Sequence, residues 1–198
     1  GCMNAARYMF KKAGYEENDE VRIRAFVGPP VKHHLINAYG FPEEEAARIY
    51  AYYREYYLSK GIYESRLYDG IEDALRAIKS SGKALYVATS KPEVMSIPIL
   101  ERYGLLGIFD AVFGARHEEG IFDKTQVLEY AMNRLGGAPA GSVMVGDRSH
   151  DILGGRAVGI DTVGVLYGYG DREELMDCGP DYLIDTTADL ADLLGGTA

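Results

Sequence analysis

The sequence has 198 residues, 47% hydrophobic and 26% charged, with a formal net charge of −9. That length and mixture suit one domain, or a core with a small inserted subdomain, and exclude a largely disordered chain. The 30 acidic against 21 basic residues argue against non-specific binding to nucleic acid or an anionic membrane. A small anionic ligand stays compatible with a locally basic pocket.

The first third reads as helical. Ala5, Ala6, Met9 and Phe10 recur at helical spacing, and Gly14 marks a stop. Phe26 to Pro30 (FVGPP) reads as a rigid loop, because Pro30 lacks a donor and restricts Pro29. A helix is expected from Val31 to Tyr39, closed by Gly40. Pro42 and the acidic run Glu43 to Glu45 open another, which carries AARIYAYYREYYLSKG to Gly61. Its Tyr50, Tyr53 and Tyr57 share one face, and Tyr52 and Tyr56 a neighbouring one. This stripe reads as helix packing rather than an aromatic binding box. Residues 1–66 are therefore expected to form a helical subdomain.

From Tyr68 the pattern changes. Asp69 reads as an N-cap, with Glu72 completing a capping box before a helix from Ile71 to Ser80. Strands are expected at Ala84–Ser90, Ala111–Phe113, Ser142–Asp147, Asp161–Val165 and Tyr182–Ile184. Helices are expected at Val94–Tyr103, Lys124–Leu135, Asp151–Val158 and Ala188–Leu194. The alternation and the nearly all-apolar strands predict the α/β class, with a Rossmann-like parallel sheet covered by helices on both faces over 67–198. Cys2 and Cys178 make no disulfide framework, which points to a reduced, cytoplasmic setting. No apolar run approaches the roughly 20 residues that span a bilayer. The opening GCMNAARYMFKKAG lacks the apolar core of a signal peptide.

In open α/β sheets, ligands bind beyond the carboxyl ends of the strands. Thr89 and Ser90 end one expected strand, Asp147 ends another, Asp151 follows four residues later, and Lys124 opens a helix. The two aspartates could hold Mg²⁺ directly or through water. The hydroxyls and nearby backbone N–H groups could cradle a phosphate, and Lys124 could neutralise it. Each feature alone would read as a helix cap. Three of them at strand ends of one sheet predict a phosphate and Mg²⁺ site. Arg24, His33, His34 and Arg116 are further polar candidates, each reading first as solvated surface. His117 with Glu118 and Glu119 makes no convincing metal triad, and no CxxC or HExxH pattern supports zinc. No early strand leads into GxGxxG, which disfavours a dinucleotide-dependent dehydrogenase.

GDRSHDILGGRAVG, at 146–159, resembles the last motif of haloacid dehalogenase-like hydrolases, where GDxxxD follows an apolar strand. VATSK at 87–91 resembles the second motif and DKTQVL at 123–128 the third. FVGPP resembles a cap loop of phosphoglycolate phosphatase-like members, and YDGIEDALRAIKSSG the return from cap to core. The resemblance runs from Asn4 to Leu194. It implies a Mg²⁺-dependent phosphatase of a small phosphorylated metabolite, acting through a phosphoaspartate. It assigns phosphate binding to Thr89 and Ser90, charge stabilisation to Lys124, metal binding to Asp147 and support of the metal shell to Asp151. Phosphoglycolate, a nucleoside monophosphate and pyrophosphate all fit as substrates, for a monomer or homodimer.

The family's first motif, DxDGT or a variant, has no match among these residues. Asp69, Asp110, Asp123 and Asp161 lack its strand context. In the family that strand is central, so the second and last motif strands are expected to flank a slot. The resemblance leaves three explanations open. An N-terminal segment of about 15 to 20 residues is omitted by the family's spacing; another chain or a rearranged sheet fills the slot; or the architecture differs. These residues alone are expected to be inactive by the phosphoaspartate route. A phosphosugar mutase and an inactive phosphate-binding or interaction protein are the alternatives.

Overall fold

The computed structural model describes residues 1–196, with His117 described by its backbone alone. The chain divides into two compact units, Gly1–Arg66 and Leu67–Ala198.

The first unit comprises α1 (Cys2–Ala13), α2 (Glu20–Arg24), α3 (Val31–Tyr39), α4 (Glu43–Ser59) and a 3₁₀ turn, Gly61–Tyr63. α1 packs on α4. Ala5, Ala6, Met9 and Phe10 of α1 and Ala46 and Ile49 of α4 are buried. Tyr53 and Tyr57 are buried and stacked, with centroids 5.7 Å apart. The tyrosine stripe is therefore packing. Phe26 is the fully buried anchor of the FVGPP loop, with the His34 ring edge-on at 4.6 Å. α2 has no counterpart among the expected helices. Asp19 starts it by accepting from the Val21 N–H at 2.8 Å, a cap legible only once the short helix is known.

The second unit holds α5 (Ile71–Ser80), β1 (Tyr86–Pro92), α6 (Glu93–Arg102), β2 (Ala111–Ala115), α7 (Lys124–Leu135), β3 (Val143–Gly146), α8 (Ser149–Ala157), β4 (Asp161–Val165), α9 (Arg172–Asp177), β5 (Tyr182–Ile184) and α10 (Thr187–Gly195). All strand pairs are parallel. α5 does not begin on the expected Asp69 capping box. Gly70 at φ 74° is its N-cap, without a side-chain cap bond, and that left-handed turn is open to glycine. The Asp69 carbonyl instead accepts from the Thr187 hydroxyl at 2.7 Å, tying the start of α5 to the start of α10. α9 is unanticipated, and Asp171 caps it by accepting from the Glu174 N–H at 2.8 Å.

One correction concerns the sheet. β1 runs past Ser90 to Pro92, because its register with β2 shifts between Thr89 and Pro92. Such a bulge re-aims the side chains at a strand end. The strands form two ladders, β1-β2 and β3-β4-β5, as expected of a parallel sheet whose central strand is missing from these residues. A groove of about 790 Å³ has residues of β1 and β3 in its lining, together with Leu75 of α5, Leu128 of α7 and Leu190 of α10. Burial follows this division. β4, paired on both sides, is buried from Thr162 to Val165, whereas β1 is no more than half-buried anywhere along its length.

Within the second ladder, α8 presses on β3 and β4 through glycine. A Cβ at Gly155 would sit 2.7 Å from Cγ2 of Thr162 and 2.9 Å from Cβ of Met144. Gly155→Ala therefore forces α8 off the strands. It is expected to cost about 1–3 kcal/mol, read as a lower urea midpoint with an unchanged slope.

Candidate functional site

The site is built at the carboxyl ends of β1 and β3. Lys124 is the first residue of α7, set in place by the Asp123 cap, whose side chain accepts from the Gln126 N–H at 2.9 Å. Its side chain is buried. Its Nζ donates to the Ala88 carbonyl of β1 at 2.6 Å and lies 3.0 Å from Oδ1 of Asp151. One ammonium thus joins β1 to α8, the helix that follows β3. Its third N–H can still serve an anion. Asp151 stands at the third position of α8, and its Oδ2 accepts from the Arg148 N–H at 3.1 Å. Both partners are only 8% exposed, so each charge depends on the other.

Glycines make room for these carboxylates. A Cβ at Gly146 would fall 2.2 Å from Cβ of Asp151, and one at Gly154 would fall 2.8 Å from Cγ of Lys124. After β4, the loop 167–170 wraps Asp147. Oδ2 of Asp147 accepts from the Tyr169 N–H at 2.7 Å, and its carbonyl accepts from the Gly170 N–H at 2.9 Å. A Cβ at Gly168 would lie 2.2 Å from Cβ of Asp147. Thr89 is half-buried, and its Oγ1 accepts from the Lys91 N–H at 3.1 Å across the bulge. That leaves the hydroxyl proton to donate outward. Ser90 occupies the same bulge.

The expected residues Thr89, Ser90, Lys124, Asp147 and Asp151 therefore all lie at the carboxyl ends of β1 and β3 or at the starts of α7 and α8. The other polar candidates are placed differently. The Arg116 guanidinium donates to the Tyr130 hydroxyl and pairs with Glu119 at 2.9 Å. His34 packs on Phe26, and burial lowers its pKa. Arg24 and His33 are exposed residues of the helical unit. The reading of His117 as a ligand falls on a side chain outside the described set.

Sequence reasoning missed several neighbours. His150 is kept below its ordinary range by burial, which outweighs the raising pull of Asp151, so its imidazole is neutral near pH 7. Burial pushes the Tyr167 phenol up to about 12, and its ring packs edge-on to Tyr68 at 5.2 Å. Glu174 of α9 accepts from the Ser149 N–H at 2.8 Å and from Nε of Arg148 at 3.0 Å. The Gly-Tyr-Gly run at 168–170, directly after an apolar strand, was the available signal for the loop.

The donor set suits a hard cation. Mg²⁺ is held by one or two carboxylates and keeps several waters. Asp147, presented on a turn braced by Tyr169 and Gly170, fits direct ligation. Asp151, already bonded to Lys124 and Arg148, fits support through water. Among the described residues no group of three His, Cys, Asp or Glu side chains forms a closed metal cage.

The model of the family described as haloacid dehalogenase-like hydrolase matches residues 1–165. A 5'-nucleotidase of Pseudomonas aeruginosa is 34% identical over 175 residues, covering 88% of this chain and 79% of that one. The tyrosine-protein kinase PtkA of Mycobacterium tuberculosis is 38% identical over 177 residues, and the match spans 60% of its length. The crystal structure of a predicted phosphatase from Clostridium acetobutylicum superposes with a TM-score of 0.92 at 36% identity, covering 98% of this chain and 89% of that one. Parallel ladders, strand-end carboxylates and a buried lysine define a hydrolase of this kind, and the chain belongs to the haloacid dehalogenase-like hydrolases. Within the family it is a phosphoglycolate phosphatase-like member, in the class of phosphoric monoester hydrolases.

Two outcomes follow from this geometry. Lys124→Met leaves the Asp151 carboxylate buried without its cation and is expected to cost about 3–5 kcal/mol, measured by denaturant unfolding. Burial raises the Glu174 pKa, but the Ser149 and Arg148 bonds outweigh it and leave it below the ordinary 4.5. Its contribution to stability is therefore complete above pH 4.5 and is lost as the pH falls through the lowered value. Melting temperatures of Glu174→Gln and the parent are expected to differ at pH 7 and to converge on acidification through that window.

Proposed function

We propose that the protein is a Mg²⁺-dependent phosphatase of small phosphorylated metabolites. The observation that carries this reading is the buried Lys124 ammonium, held between the end of β1 and Asp151 with a proton to spare. Bound Mg²⁺ would supply the positive charge that lets an anionic carboxylate approach an anionic phosphate. Thr89 donates its hydroxyl to a phosphate oxygen, and Ser90 and the bulge N–H groups bind beside it. Lys124 neutralises charge that develops on the phosphoryl group. Asp147 holds the metal, and Asp151 orients Lys124 and the metal's water shell.

In this reading the attacking aspartate and the acid/base aspartate belong to a DxD strand motif that these 198 residues do not contain. The phosphoaspartate step is therefore assigned only to a protein carrying that motif. The helical unit takes the role of a cap that selects the leaving group. Relatives named phosphoglycolate phosphatase, 5'-nucleotidase and pyrophosphatase support a small phosphate ester or anhydride as substrate. We place the protein in the cytoplasm as a monomer or homodimer. Its two cysteines are free, and no helix among the described residues is long and apolar enough to cross a membrane.

The test is phosphate release from phosphoglycolate, nucleoside monophosphates and pyrophosphate. Residues 1–198 alone are expected to release none. The same residues joined to an N-terminal strand bearing DxD are expected to turn over with Mg²⁺, and Lys124→Met in that protein is expected to lower kcat by about 10²–10³-fold. Metal-independent release, or release by residues 1–198 alone, would overturn the reading. Phosphate moved between sugar positions without net release would favour a mutase. Ligand binding without turnover in the DxD-bearing protein would favour a phosphate-binding role.

A further inference from the structure

The charged groups around the start of α8 pair off and leave one carboxylate over. Lys124 takes Asp151 at 3.0 Å, and Arg148 takes Glu174 at 3.0 Å. Among the described residues Asp147 pairs with no cation, and only its Oδ2 accepts a hydrogen bond, from the Tyr169 N–H. His150, held neutral by burial, adds no charge near pH 7. The Arg148 guanidinium and the Asp147 carboxylate are both felt at its ring, so the two charges lie within reach of one point.

Glu174 is set in place by its surroundings. Its own N–H donates to the Asp171 side chain at 2.8 Å, which fixes the first turn of α9. Its Oε1 accepts from the Ser149 N–H at 2.8 Å and from Nε of Arg148 at 3.0 Å, and its Oε2 accepts from the same Nε at 3.2 Å. The Arg148 and Glu174 side chains are 20% and 25% exposed, so salt screens this pair less than one on the open surface. A Cβ at Gly170 would lie 3.4 Å from Oε2 of Glu174 and 2.1 Å from the carbonyl oxygen of Asp147. Glu174 therefore stands against the loop that wraps Asp147, yet gives its charge to Arg148.

That choice of partner matters for a cation. A guanidinium is always charged, and its planar fork of donors suits a carboxylate. Removing the Glu174 charge leaves the cluster with as many cations as carboxylates. The Arg148 guanidinium then attracts the Asp147 carboxylate in competition with a metal ion.

We propose that Glu174 is a positioning residue for the metal: by taking the charge of Arg148, it keeps the Asp147 carboxylate available to a divalent cation. The proposal rests on Asp147 as the metal ligand of the phosphatase reading. Bracing the turn is a different role, because a brace works through the Ser149 N–H and does not depend on the Arg148 side chain.

The test is Mn²⁺ binding to the DxD-bearing protein, read by loss of the free-ion EPR signal. Mn²⁺ takes the same oxygen ligands as Mg²⁺, and Asp147→Asn sets the background. Glu174→Gln keeps an acceptor for the Ser149 N–H and loses the charge. It is expected to weaken Mn²⁺ binding about 10–100-fold. Arg148→Gln is expected to bind at least as tightly as the parent, and the double variant Arg148→Gln/Glu174→Gln to recover the parent affinity. A brace would leave the double variant as weak as Glu174→Gln. Unchanged affinity in Glu174→Gln, weaker affinity in Arg148→Gln, or no recovery in the double variant would each overturn the proposal. If Glu174→Gln does not fold, Arg148→Gln still decides. A parent that binds no Mn²⁺ above the Asp147→Asn background would overturn the metal reading itself, and the proposal with it.

Discussion

The second unit depends on one buried ion pair. Lys124 and Asp151 lie on α7 and α8, and the lysine also donates to the Ala88 carbonyl of β1. No ladder bond joins β1 to β3 among the described residues, and this side chain links β1 to α8, the helix that follows β3. Burying two charges is costly and is repaid only by close geometry and by hydrogen bonds to the remaining lone pairs and protons. Here the Arg148 N–H and the Ala88 carbonyl supply those bonds. The pair fixes where a cation can sit in a chain that carries an excess of acidic residues.

Space at the site comes from residues without side chains. Gly146, Gly154, Gly168 and Gly170 each lie where a Cβ would intrude on Asp151, Lys124 or Asp147. Their role is steric: each opens a volume that a neighbouring charged side chain or carbonyl fills. Glu174 then fastens the start of α8 from the side of α9, so the turn bearing Asp147 is held by contacts from two directions.

Much of this was legible in the sequence, for physical reasons that differ from element to element. The apolar runs at 161–165 and 182–184 and the amphipathic stretch at 124–135 announced themselves through burial, which leaves a period in the residues. Strand-end positions of Asp147 and Thr89 followed from those runs. The bulge at 90–91 was illegible because it depends on register with β2. Asp69 misled because its cap pattern is local, while the turn is decided by Gly70 and by Thr187 far along the chain. The Arg148–Glu174 contact joins residues 26 apart, which no short motif encodes.

The bond from Thr187 to the carbonyl of Asp69 has a consequence for how the protein is made. It spans 118 residues and joins the first turn of α5 to the first turn of α10, and the two helices pack together. On the ribosome, α5 emerges long before its partner. Its apolar face stays uncovered until α10 has been made.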